Sequence, residues 1–290
     1  MVNYVSINNE TIEPESVPQF LAGDLGLQVF DIARKLAETK YQAREGSPLL
    51  TPVYEGGVVK HSNPFFVCSV QEALNELGVD LHVATQADIE ETLRKGDTLR
   101  IKGNHYVDTA LVLRSLQDSY KANNNPLARD LEAQLRKELG EELRLPVMIP
   151  LRGLALKVAD NPYGLGFILT EDALVVHDNI LNQPGYFNQD DINKETGLPR
   201  ETRKEGSRYL YTKEEGLSRL YVDNDLNLIA NWLNLDYWGD SGRVVVAKNF
   251  SSGNPVLEAK VAELKAEKSK IIQGIEQRYQ RAIAILHRKE

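Results

Sequence analysis

A chain of 290 residues that is 42% hydrophobic and 26% charged can bury a core and lies far from the compositions that keep chains unfolded. Its formal net charge of -8, from 34 Lys and Arg against 42 Asp and Glu, argues against sequence-independent nucleic-acid binding, which needs a cationic surface to displace counterions from phosphate. The single cysteine, Cys68, excludes a disulfide framework within one chain and fits a reducing compartment.

The first ten residues, MVNYVSINNE, lack the basic and apolar regions of a signal peptide, and no segment reaches the roughly 18 uninterrupted apolar residues of a membrane span. The expected location is cytoplasmic, without a membrane partner. Leu25, Val29, Ile32 and Leu36 recur at helical spacing and predict a one-sided helix ending before Gly46 and Pro48. Phe65 to Cys68 reads as a buried strand, and Ser69 with Glu72 as the capping pair of a following helix closed by Gly78. In that apolar run Cys68 is expected to be a buried small hydrophobe.

Leu81 to Ala84 suggests a strand, Thr85 with Asp88 a helix start, and Gly96 its stop. Thr98 to Lys102, Gly103-Asn104 and His105 onward have the signature of a hairpin. Asn123-Asn124-Asn125-Pro126 then opens a helix carrying Leu127, Leu131, Leu135 and Leu139. Strand patterns over 146–151, 154–159, 165–170 and 173–177 predict an antiparallel meander.

Residues 182–207 form a long polar excursion anchored by Phe187, Ile192 and Leu198, the kind of loop that often binds ligands or acts as a lid. Strand patterns resume at 208–212, 217–222 and 243–248, with a tight turn at Asp223-Asn224-Asp225. Beyond Pro255, apolar residues including Leu257, Val261, Leu264, Ile271 and Ile275 predict one amphipathic helix of about thirty residues. That helix suits docking on the body or an oligomer contact.

Several motifs lack the context that their chemistry demands. Gly239-Asp240-Ser241-Gly242 spells the tetrapeptide around the nucleophile of trypsin-like serine proteases, yet no matching histidine motif precedes it, so a polar turn is expected. Gly164-Leu165-Gly166 enters a strand and lacks a third glycine, which excludes a dinucleotide fingerprint. Asp223, Asp225 and Asn227 space oxygens like the start of a calcium loop, but Leu228 and Asn234 stand where glycine and glutamate are needed. The histidines at 61, 82, 105, 177 and 287 show no zinc spacing, and no metal site is expected.

The segment 209–238 offers more. It holds Tyr209, Tyr211, Tyr221, Trp232, Tyr237 and Trp238 among Arg219, Asp223 and Asp225, and Arg243 follows closely. Rings interleaved with polar groups suit recognition of a sugar, a base or a peptide. The competing reading is that the rings simply complete the core of a sheet. The ligand-binding candidates are Arg219, Asp223, Asp225, Trp232, Trp238 and Arg243.

Gly216-Leu217-Ser218-Arg219-Leu220-Tyr221, the run Asp223 to Leu228, and Gly242-Arg243-Val244-Val245-Val246 resemble the second half of a group of uncharacterised archaeal proteins. Tyr163 to Phe167 and Arg208 to Thr212 are similar to the same group. The resemblance implies a source and no mechanism.

These readings predict an α+β protein with an N-terminal α/β module over 1–122, a mainly antiparallel region over 123–254 and a C-terminal helix over 255–290. The expected function is non-catalytic binding or assembly, with self-association or a protein partner engaged through residues 255–290. The alternative is an enzyme for a small polar or nucleotide-like substrate, held between the 182–207 loop and the aromatic strands. The sequence specifies no cofactor.

Overall fold

The computed structural model describes residues 3–5, 18–114 and 122–248, so the predicted helix over 255–290 lies outside the described residues. What is described is α+β. After β1 (Asn3–Val5) and β2 (Gln19–Phe20), α1 (Gly23–Thr39) buries Val29, Ala33, Leu36 and Ala37, close to the predicted stripe. A short hairpin, β3 (Val53–Glu55) and β4 (Val58–Lys60), leads to α2 (Pro64–Leu77).

The strand predicted at Phe65 to Cys68 is therefore the first turn of a helix. Asn63 is the N-cap, its side chain accepting from the Phe66 amide at 3.0 Å, and Pro64 occupies the first turn, where its missing N–H costs nothing. The predicted capping pair lies inside the helix: Ser69 donates to the Phe66 carbonyl, and Glu72 pairs with Lys40 and Tyr41. Nearly every residue from Pro64 to Leu74 is buried. A helix covered on all sides has no polar stripe to reveal its period, so it reads like a buried strand.

β5 (Leu81–Val83) and α3 (Gln86–Arg94) follow, α3 opening on the capping box of Thr85 and Asp88. No strand forms over 98–102. The Asp97 carboxylate accepts from the Ile101 and Lys102 amides at 2.8 and 2.9 Å, and Arg100 takes φ +53°. A side chain thus takes the donors that a β-ladder would have needed.

β6 (Tyr106–Leu113) is buried along its whole length. α4 (Asn125–Leu139) begins with Pro126 in its first turn as expected, but Asn124 does not cap it. Its amide instead donates to the Leu217 and Leu233 carbonyls at 2.9 and 2.8 Å and accepts from the Tyr163 hydroxyl at 2.6 Å.

β7 (Val147–Pro150), β8 (Leu154–Val158), β9 (Leu165–Leu169) and β10 (Leu174–His177) stand near their predicted places but form no meander. A 3₁₀ turn at Leu151–Gly153 redirects the chain, so β8 and β9 make a separate hairpin. β7 pairs β10 and β6 instead.

The remaining strands are β11 (Gly185–Phe187), β12 (Arg208–Tyr211), β13 (Leu217–Val222), β14 (Leu228–Trp232), β15 (Gly242–Arg243) and β16 (Val245–Lys248). The main sheet runs β1-β10-β7-β6-β13-β14-β12-β11, with β15, β4 and β3 joined beside β6. β6 from the 1–122 segment lies between β7 and β13 of the 123–254 segment, so both segments build one sheet.

Each face of that sheet carries its own apolar cluster. Leu111, Leu113, Val147, Ile149, Val175 and Leu217 pack with residues of α1, α2 and α4. Val107, Val112, Leu210, Leu220 and Leu228 point the other way and pack with Ile89 of α3. The 182–207 excursion belongs to this second face, where Phe187, Ile192 and Leu198 are buried. Arg208 grips Glu90 of α3 from β12, with Nη2 to Oε1 at 2.8 Å, and Gln86 donates to the same Glu90 oxygen at 2.9 Å.

Candidate aromatic binding face

The side chains that point away from α3 in the far half of the sheet form a cross-strand series. Tyr186 stands opposite Tyr209, Tyr211 opposite Ile229, Ile229 opposite Tyr221, and Tyr221 opposite Asp108. Period-two alternation puts them all on the face opposite Leu210, Leu220 and Leu228. The rings touch, with centroids 4.8 Å apart for Tyr186 and Tyr209 and 4.6 Å for Tyr209 and Tyr211.

Trp232 would fall on the wrong face by strict alternation. The register between β13 and β14 shifts, however, so that three steps along β14 match two along β13 and Trp232 stands opposite Arg219. A bulge of this kind re-aims a side chain. Tyr237 packs edge-on to Trp232 at 5.7 Å, and Trp238 lies over His61 at 4.9 Å.

Tyr186, Tyr211, Trp232, Tyr237 and Trp238 keep 40–46% of their surface exposed. The rings therefore do not simply complete the core. The exposed rings fall into two contact groups, Tyr186, Tyr209 and Tyr211 in one and Trp232 with Tyr237 in the other, with buried Ile229 on the strand between them; exposed apolar patches mark interaction sites.

Beneath the rings lies a buried ion pair. Arg219 and Asp108 are both closed off from solvent, Nε standing 2.6 Å from Oδ1 with Nη2 also against that oxygen, while Nη1 donates to the Tyr237 carbonyl at 2.9 Å. The guanidinium sits between the rings of Tyr221 and Tyr106, 4.8 and 5.2 Å from their centroids. Burial pushes the Asp108 carboxyl above its ordinary pKa while Arg219 pulls it back, and Asp108 in turn holds Arg219 charged.

Burial first, then the Asp108 charge, pushes the Tyr106 phenol up to about 12, so it stays neutral at ordinary pH. It donates to the Ser62 carbonyl and accepts from the Gly239 amide, both at 3.0 Å. The loop carrying Tyr237 and Trp238 is thus tied to the sheet by Arg219 and Tyr106. Sequence reasoning missed Tyr106, Asp108, Ser62 and His61, whose partners Gly239, Arg219, Arg243 and Trp238 lie more than a hundred positions downstream and leave no local signal.

The six candidates do not converge. Arg219 is consumed by Asp108, and Trp232 and Trp238 stand on the exposed face. Asp223 shapes the β13–β14 turn, its carboxylate accepting from the Asp225 and Asn227 amides at 2.9 and 2.8 Å, and Asp225 is exposed on that turn. Arg243 is buried in β15 and donates to the Asp240 and Gly242 carbonyls at 2.6 and 2.9 Å.

The apolar anchors of the 182–207 loop, Phe187, Ile192 and Leu198, pack on the face of the sheet away from the aromatic side chains, while Tyr186 of the same loop pairs with Tyr209 on the aromatic face. Gly239 to Gly242 is a turn, closed by the Gly242 amide on the Gly239 carbonyl at 2.9 Å. Among the described residues no three His, Cys, Asp or Glu side chains are grouped to hold a metal, and no helix is long and apolar enough to cross a membrane. No family model, curated protein or solved structure matches this chain.

Proposed function

We infer that this protein is a non-catalytic binding protein whose aromatic sheet face takes a neutral, ring-bearing polymer, with glycan chains as the best chemical fit. The ladder from Tyr186 to Trp232 carries the reading. Its rings stand in two clusters on strands that the sheet already orders, so a ligand packing on them incurs little further ordering cost.

Sugar rings present apolar C–H faces to aromatic side chains and hydroxyls to neighbouring amides and carboxylates. Arg219 and Arg243 are already bonded inside the protein, and Arg203, paired opposite Tyr186, is bridged to Asp191 and Glu201. Together with the net charge of -8, this favours an uncharged polymer over a polyanion.

Soluble glucose oligomers of α and β linkage, titrated into the full chain, provide the test. Both tryptophans of the sequence lie on or beside the ladder, so saturable change in tryptophan emission, lost in Trp232→Ala, is the expected outcome. Unchanged emission with every oligomer at millimolar concentration sinks the glycan assignment.

A further inference from the structure

A second concavity lies away from the aromatic face. It is a cleft of about 540 Å³ between the ends of α1 and α2, β5 and the β8–β9 hairpin. That volume falls within the range of about 300–1,000 Å³ typical of small-molecule sites. Its lining includes Lys40, Glu72, His82, Arg152, Thr170 and Asp172, two cations and two anions around one histidine.

Their states differ in a way that bears on binding. Lys40 and Glu72 are already paired, and Tyr41 donates to the second Glu72 oxygen. Arg152 and Asp172 are exposed and have no partner among the described residues. His82 is buried and fixed: its Nε2 faces Asp88 Oδ2 at 3.1 Å, while its Nδ1 is buried with no hydrogen-bond partner.

If Asp88 holds the Nε2 proton, Nδ1 is left as a lone-pair acceptor. A guanidinium with no partner is a fork for a carboxylate, and a carboxylate with no partner draws an ammonium.

We propose that this cleft binds a small amino carboxylate, a free amino acid or dipeptide. Arg152 takes its carboxylate and Asp172 its ammonium group, both being exposed at the cleft and unpaired. A ligand with both signs matches a lining with both signs, whereas a simple anion leaves Asp172 repelled and a simple cation leaves Arg152 unused. The assignment is independent of the aromatic face, which shares no residue with the cleft.

The experiment is calorimetric titration of the full chain with three arms: amino acids and dipeptides, 2-hydroxy acids, and acetate or inorganic phosphate. The expected result is saturable binding in the first arm with Kd below about 1 mM. Arg152→Ala and Asp172→Ala each weaken it at least about tenfold while leaving the melting temperature unchanged, since both side chains are exposed and unpaired. Equal binding of 2-hydroxy acids, binding of acetate or phosphate alone, affinity unmoved by both substitutions, or no heat from any amino acid or dipeptide each overturns the proposal.

Discussion

Removing Asp108 leaves the Arg219 guanidinium closed off from water with only the Tyr237 carbonyl and two ring faces around it. Arginine cannot shed its proton at any accessible pH, so Asp108→Ala is expected to cost about 3–5 kcal/mol, the range for breaking a buried pair from one side. Against a total stability of roughly 5–15 kcal/mol for a domain, that is a large fraction. Arg219→Met should cost less, because the stranded Asp108 can neutralise itself by taking a proton, and burial already raises its pKa.

The asymmetry carries a sign. In Arg219→Met the folded pKa of Asp108 lies above its unfolded value, so the folded state binds the extra proton and stability rises as pH falls from 7 toward about 4. Asp108→Ala shows no such gain. Replacing both residues, as Asp108→Leu with Arg219→Met, should recover most of the loss. Urea denaturation at pH 7 and pH 5 measures all three variants, with Trp232 and Trp238 beside the pair as the fluorescent reporters. Costs below about 1 kcal/mol for both single variants, within the range of exposed pairs, would refute the claim that this pair is buried and mutually dependent.

Further expectations follow from other parts of the molecule. Tyr211→Ala and Trp232→Ala should each lower stability by about 1–2 kcal/mol, because more than half of each ring is covered and packed against a neighbouring ring, while weakening glycan binding; thermal melts run beside the titrations separate the two effects. Gly197→Ala should destabilise by more than about 1 kcal/mol, because Gly197 has φ +71° and an added Cβ would sit 2.5 Å from the Gln86 backbone; denaturant midpoints report it. Asp88 is pushed up by burial, but hydrogen bonds from His82 and Thr85 outweigh that and hold its pKa below the ordinary value. Its contribution is therefore whole above the unfolded pKa and is lost as pH falls below about 4. Asp88→Asn should lower stability at pH 7 and flatten its fall in acid, read by denaturation curves from pH 7 to pH 2.

Local signals in the sequence determined a good part of this structure. The Leu25 to Leu36 stripe, the Thr85 and Asp88 cap, the Pro126 helix start and most strand positions of the second half rest on short-range patterns of burial and capping, and these patterns survive in the fold. Where such patterns are silent or ambiguous, the tertiary structure decided. A helix buried on every side looked like a strand at Phe65 to Cys68, and Asp97 took the backbone donors that a hairpin at 98–105 required.

The sequence also marked the aromatic segment, although it could not say which way the rings face. That depends on register across β11, β12, β13 and β14, and on one bulge that returns Trp232 to the side of Arg219. Pairing over more than a hundred positions joined Arg219 to Asp108 and left Asp223 in its turn. A linear pattern records which residues are apolar and how they are spaced; which charges find each other depends on which strands become neighbours, and only the folded sheet fixes that.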